Sequence, residues 1–249
     1  MGETVLKKTT RSTGRNKRQI DADLAARTRD LEEANTTSSF VAHELNNLLT
    51  VIQINTEFLL ESVGENPASA QELDEIQRAS KRASIPARQL LASSRLEPFD
   101  ANLAEATLRR KSPATTPAIP EKAPRVAETI LLVEDEAAVR ALAKRILTQK
   151  GYRVLEASDG AIALRIAAGH VGEIDLVLTD VAMPNLGGRG MVEELRELSP
   201  GMRVLFMSGY PREEIFPEKS AAVDTPYLQK PFTSETLSAE VRSALGYAR

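Results

Sequence analysis

The stretch Leu131-Leu132-Val133-Glu134-Asp135-Glu136 sets an apolar run directly against three acids, and it opens a series of five strand-like segments. Working outward from it, Ile130 to Val133, Val154 to Ala157, Leu176 to Thr179, Val204 to Met207 and Tyr227 to Gln229 read as strands, with helical patterns between the first three. Short apolar strands alternating with helices imply a parallel sheet covered on both faces. In such folds the chemistry collects beyond the C-terminal ends of the strands. Those ends carry Glu134 and Asp135, Asp180, Ser208 and Lys230. Three carboxylates in one crevice repel one another and raise one another's pKa unless a hard divalent cation shares them, so Mg2+ is the expected cofactor. With the metal bound, Asp180 stays ionised and can attack phosphorus to form an aspartyl phosphate, while Lys230 and Ser208 hold the phosphoryl oxygens.

Five motifs in order, Leu131 to Glu136, Asp180-Val181-Ala182-Met183-Pro184, Gly188, Ser208-Gly209 and Lys230-Pro231-Phe232, resemble the response-regulator receiver family over about Glu128 to Arg249. The resemblance implies a flavodoxin-like (βα)5 fold with Asp180 as phosphoacceptor, Glu134 and Asp135 as metal-binding acids, Ser208 as switch hydroxyl and Lys230 as phosphate-binding lysine. It also implies Tyr227 as the aromatic switch residue, the backbone carbonyl of Ala182 as a metal ligand and a cis Lys230-Pro231 peptide. Taken singly, Glu134 and Asp135 are ordinary strand-end acids and Tyr227 a half-buried packing residue; the constellation is what carries the reading. Met183 is read as packing and Gly188 as a turn glycine. Pro217 and the charges between Pro211 and Val223 predict a short or irregular fourth helix in this domain.

Upstream, Val41, Leu45, Leu48, Ile52 and Leu59 fall on one face of a helix. The pattern breaks at Gly64-Glu65-Asn66-Pro67 and resumes through Leu73, Ile76, Ala79, Ala83, Leu90 and Leu91, which predicts an antiparallel helical hairpin. A lone hairpin buries its apolar stripe poorly, so a homodimer forming a four-helix bundle is expected. His43, Asn46, Asn47 and Thr50 lie on the face opposite that stripe, which predicts a solvent-facing His43. Glu44 beside the imidazole can hold it in the tautomer that leaves one nitrogen nucleophilic, and Asn47 one turn on can orient water or a phosphoryl oxygen. A lone helical histidine is otherwise a surface residue of no consequence.

Phe40 to Leu49 resembles the phosphoacceptor box of the histidine kinase dimerisation and phosphotransfer domain, and Arg88-Gln89-Leu90-Leu91 the end of its second helix. That resemblance, over about Ser38 to Glu97, implies phosphorylation of His43, with Glu44 and Asn47 supporting transfer and dephosphorylation. Two readings go beyond it. A turn near Glu65 places Pro86 opposite His43, where its missing N–H would distort the second helix. Ile54 and Phe58, toward the turn from His43, form a patch where the receiver would dock, or else part of a broad dimer core.

The rest of the chain bounds the reading. Residues 1–20, with Lys7, Lys8, Arg11, Arg15, Lys17 and Arg18, read as a basic, disordered tail. Residues 21–97 hold a polar heptad lead-in (Leu24, Thr28, Leu31, Asn35, Ser38) and the hairpin, 98–128 a Pro/Ala-rich linker, and 129–249 the receiver. A net charge of -3 and the lack of cysteine or any long apolar run point to a cytoplasmic protein without nucleic-acid binding or a membrane span. The linker has no glycine-rich phosphate cradle, so neither ATP binding nor self-phosphorylation of His43 is expected, and phosphate would come from a partner histidine kinase or response regulator. The expected function is therefore a two-component phosphorelay between His43 and Asp180. A dimeric scaffold for a kinase, or a phosphatase or phosphate sink, are the alternatives.

Overall fold

The computed structural model describes residues 27–28, 34, 36–62, 67–93, 127–199, 201–216 and 225–247. The basic tail, most of the heptad lead-in and all but the last two residues of the expected linker lie outside the described residues. A helical hairpin, α1 over residues 36–62 and α2 Pro67–Ser93, precedes an α/β unit. That unit runs β1 Thr129–Val133, α3 Ala137–Gln149, β2 Arg153–Ala157, α4 Gly160–Gly169, β3 Leu176–Asp180, α5 Gly188–Leu198, β4 Arg203–Ser208, α6 Arg212–Ile215, β5 Tyr227–Gln229 and α7 Ser234–Ala244. The multidomain reading, all-α hairpin plus flavodoxin-like parallel α/β unit, holds. Each expected strand is present within one residue at either end.

The five strands pair in parallel in the order β2-β1-β3-β4-β5. Side chains alternate across the sheet, so each strand feeds two cores. Ile130, Leu132, Leu176, Leu178, Leu205 and Met207 pack against Val139, Ala143, Ile146 and Leu147 of α3 and Leu237 and Val241 of α7. On the other face Leu131, Val133, Val177, Val204 and Phe206 meet Ala163 and Ala167 of α4 and Met191, Val192 and Leu195 of α5. Burial on both faces is why the inner strands β1, β3 and β4 read as apolar runs, whereas the edge strand β2 carries Arg153 and Glu156. Helices α4 and α7 start on side-chain caps: Asp159 accepts from Ile162 N at 2.8 Å, and Thr233 and Thr236 form a reciprocal capping box. As the charge and Pro217 suggested, α6 is a single turn; residues 217–224 lie outside the described set.

In the hairpin, Ser80 Oγ donates to the Leu49 carbonyl at 3.4 Å. Six residues back along α1 and six forward along α2, the same register sets Pro86 level with His43. Helix α2 runs on through Pro86, whose ring leaves the Arg82 carbonyl without its usual N–H donor. The burial of α1 is inverted relative to a lone amphipathic helix. Val41, Leu48, Ile52 and Leu59 are exposed, as are Ile76, Ile85 and Leu90 on α2, whereas Asn46, Asn47, Thr50, Gln53 and Thr56 are buried. On the polar face Asn46 lies against Gly209 and Asn47 at Lys230 of the α/β unit. Ile54 joins the α3/α7 core, with Val51 and Phe58 against it, and Ala42 and Leu91 join the α4/α5 core. The expectation of a solvent-facing His43 is thereby corrected: it is half-buried, because its face meets the receiver. No helix among the described residues is long and apolar enough to cross a membrane.

Gly188 is more than a turn residue. A β-carbon there would lie 2.0 Å from the carbonyl oxygen of Asp180 and 2.8 Å from Thr179 Oγ1, so its absence lets α5 start against the end of β3. Gly188→Ala is expected to cost about 1–3 kcal/mol of receiver stability, the usual penalty of overpacking, measured by urea denaturation. A variant as stable as wild type would show that α5 moves away freely.

Candidate phosphoryl-transfer site

The parallel sheet delivers Glu134 and Asp135 from β1, Asp180 from β3, Ser208 from β4 and Lys230 from β5 to one edge. Glu134, Asp180 and Lys230 are fully buried and Ser208 nearly so. Lys230 Nζ donates to Asp180 Oδ2 at 2.5 Å and to Glu134 Oε2 at 2.7 Å. The Lys230-Pro231 peptide is cis. Asp180 Oδ1 accepts from Ala182 N at 2.9 Å, and Arg140 Nη1 donates to the carbonyls of Glu134 and Asp135 at 2.7 and 3.2 Å, fixing the loop that presents the acids.

Burial pushes the Glu134 carboxyl up to about 8, and the nearby Asp180 charge adds to this against the pull of Lys230. Burial alone would lower the Lys230 ammonium, but Asp180 first and Glu134 second outweigh it and hold Lys230 above its ordinary value. Glu134, Asp135 and Asp180 offer ligand atoms within 4.8 Å of one another. Glu134 Oε1 and Asp135 Oδ1 are buried without any hydrogen-bond partner. Orphaned carboxylate oxygens in such a cluster fit a hard divalent cation of the Mg2+ class, which takes oxygen ligands.

At the expected switch positions, Ser208 Oγ accepts from Tyr210 N at 3.2 Å. The Tyr227 hydroxyl donates to the Tyr210 carbonyl, and to that of Ser208 at 3.3 Å, so the ring lies inward with Phe216 edge-on at 6.2 Å. Burial, then Asp180, raises the Tyr227 phenol above its ordinary value.

From the hairpin, Asn47 enters this crevice. Its Oδ1 accepts from Lys230 Nζ at 3.3 Å, and its Nδ2 lies 3.2 Å from His43 Nε2. An amide N–H only donates, so Nε2 is the acceptor nitrogen of the ring, with its lone pair free of a proton. Asn47, 3% exposed, therefore spans the distance between imidazole and receiver lysine. The group at Nε2 of the ring is this amide; Glu44 is exposed.

Sequence reasoning missed the contacts around this bridge. Ser39 and Tyr210 share a hydroxyl hydrogen bond, Glu57 Oε2 accepts from Ser234 N at 2.9 Å, and Arg145 stacks 3.7 Å over the Phe58 ring. The proposed Ile54 and Phe58 patch does lie on the receiver, on α3 and α7. No single-residue signal marks Ser39 or Glu57, because each acts only once the two units meet.

The response regulator receiver domain family matches residues 130–242, and the His Kinase A (phospho-acceptor) domain family matches residues 35–99. The chain thus matches a histidine phospho-acceptor domain followed by a receiver domain, the two kinds of domain found in two-component signalling proteins. Sensor kinase CckA of Brucella abortus is 39% identical over 117 residues, 47% of this chain and 12% of that kinase. The response regulator receiver protein CpdR of the same organism is 29% identical over 47% of this chain and 95% of its own length. The crystal structure of the receiver domain from hybrid histidine kinase CckA is 39% identical, covering 47% of this chain and 98% of that one, with a TM-score of 0.41. The chain thus spans only a small part of the kinase it matches.

The cation and the Glu134 proton compete for one oxygen set. Mg2+ is expected to raise the melting temperature at pH 8 and to bind more weakly as the pH falls below about 8, the value at Glu134, with Asp135→Asn losing most of the affinity. Calorimetric titration across pH checks this. Equal affinity in wild type and Asp135→Asn would remove the acids from the site.

Proposed function

We propose that this chain passes a phosphoryl group between His43 and Asp180, with the group supplied in trans by a histidine kinase or a phosphorylated regulator. The observation that carries the reading is Asn47, hydrogen-bonded at one end to Lys230 and set at the other against the unprotonated nitrogen of His43. In the forward direction the P–N bond at His43 Nε2 breaks, a P–O bond forms to a carboxylate oxygen of Asp180, and the imidazole is left neutral. Lys230 and Ser208 hold the phosphoryl oxygens. Glu134, Asp135, Asp180 and the Ala182 carbonyl would hold Mg2+, and the ion would supply positive charge against the transferring group. The Asn47 amide orients the imidazole and keeps it within the receiver crevice. Tyr227, inward against the Ser208 and Tyr210 carbonyls, reports whether Ser208 has moved onto a phosphoryl oxygen.

The exposed stripe of Val41, Leu48, Ile52, Leu59, Ile76, Ile85 and Leu90 is where a second copy packs, which leaves the polar face free for the receiver. A second reading has support from the same amide. With its side chain at the Lys230 ammonium, Asn47 is also placed to orient a water on phosphorylated Asp180, making the chain a phosphate sink.

The test is incubation with Mg2+, labelled ATP and a panel of histidine kinases, using wild type, His43→Ala, Asp180→Ala and Asn47→Ala. The relay predicts that label enters from a kinase and that exchange between the two sites needs both residues. Label confined to Asp180 in wild type and in His43→Ala alike would remove His43 from the pathway. Slower loss of Asp180 phosphate in Asn47→Ala, with exchange intact, would favour the sink.

A further inference from the structure

Gly209, directly after the expected switch hydroxyl of Ser208, is a point where both helices of the hairpin press on the receiver. A β-carbon at this position would lie 2.7 Å from Asn46 Nδ2, 3.4 Å from Asn46 Cγ and 3.2 Å from Leu91 Cδ1. One neighbour belongs to α1 and the other to α2, so the glycine is wedged between both. Asn46 and Leu91 are each 0% exposed, which leaves neither an open direction in which to retreat. The adjoining backbone is tied down as well: Thr50 Oγ1 donates to the Asn46 carbonyl at 2.7 Å, and the next residue is the Asn47 bridge.

Neither Nδ2 nor Oδ1 of Asn46 has a hydrogen-bond partner although both are buried. A desolvated, unpaired amide disfavours docking, and the close fit over Gly209 offsets it. A receiver bearing a side chain at this position would meet the same desolvation together with a clash. Discrimination of this kind, built from a polar group that only one partner accommodates, is a general route to selectivity.

We propose that Asn46 and Gly209 form a fitted pair that selects which receiver exchanges phosphate with His43, admitting one with glycine immediately after the switch hydroxyl. This rests on the reading that His43 and Asp180 exchange the group. Gly209 touches no reacting atom. It sets access of the hairpin to the crevice, while a small phosphodonor enters without it. The selected partner is the chain's own receiver or that of a second copy.

Acetyl phosphate with labelled phosphorus provides the test on the full chain with Mg2+. Its phosphoryl moves to Asp180 with release of acetate. It then moves to His43 Nε2, breaking the acyl P–O bond, forming the P–N bond and regenerating the carboxylate. Alkali-labile label reads Asp180 and alkali-stable, acid-labile label reads His43. In Gly209→Ala, Asp180 labelling is expected to stay within about twofold of wild type while phosphohistidine appears about tenfold more slowly or worse, the rate equivalent of one overpacked methyl. Asn46→Ala added to Gly209→Ala is expected to restore the rate to within about threefold of Asn46→Ala alone, as coupling between contacting residues requires. An unchanged rate in Gly209→Ala, a parallel fall in Asp180 labelling, or no recovery in the double variant would each overturn the pair. Wild type that gains label on Asp180 and none on His43 would instead overturn the exchange reading, and the pair with it.

Discussion

A lysine ammonium with no exposure to water is the constraint around which this molecule is arranged. Lys230 is wholly buried between Asp180 and Glu134, and its remaining donor reaches across to Asn47 of the hairpin. Desolvating an ammonium is costly, and the site retains the charge only because two carboxylates and an amide carbonyl surround it. The parallel register that sets β5 beside β4 brings that side chain to the same sheet edge as Asp180 and Ser208. The same ammonium leaves oxygens of Glu134 and Asp135 without partners, and these are the oxygens a divalent cation would use.

The hairpin answers that site with its polar face. An amphipathic helix normally turns its apolar stripe inward and its polar side to water. Here Asn46, Asn47, Thr50, Gln53 and Thr56 are buried, Asn46 against Gly209 and Asn47 at Lys230 of the α/β unit, while Val41, Leu48, Ile52 and Leu59 are exposed. The receiver meets the polar face, and the proposed second copy would cover the apolar one. Burying so many amides and hydroxyls contributes little stability. It serves positioning, which is what phosphoryl transfer chiefly requires. The apolar anchoring comes from Ile54 and Phe58 on one side of the sheet edge and from Ala42 and Leu91 on the other.

The receiver fold was legible because its inner strands β1, β3 and β4 are buried on both faces, which writes them into the sequence as apolar runs, and because every strand but β2 leads into a residue whose chemistry has no packing use. Glu134, Asp180, Ser208 and Lys230 could be found that way. The hairpin was legible from its period, and the break at Gly64 to Pro67 set the register that puts Pro86 level with His43. What the sequence did not reveal depends on the meeting of the two units. His43 looked solvent-facing because helical periodicity describes a helix alone. Ser39, Glu57 and Gly209 have no distinctive pattern, since the partners of each, Tyr210, Ser234 and Asn46, lie more than a hundred residues away in the chain.

The central claim is that the histidine face of the hairpin docks on the receiver crevice, and the absence of cysteine from the chain makes it directly testable. A β-carbon at Gly209 would lie 3.4 Å from Asn46 Cγ, the position a cysteine sulfur would take at residue 46, close enough for a disulfide to close. In Asn46→Cys combined with Gly209→Cys, mild oxidation is predicted to give a cross-linked peptide joining positions 46 and 209, identified by mass spectrometry and lost on reduction. If both thiols instead remain open to alkylation under conditions that oxidise accessible cysteine pairs, the hairpin does not rest on the receiver in this way and the account of the site fails.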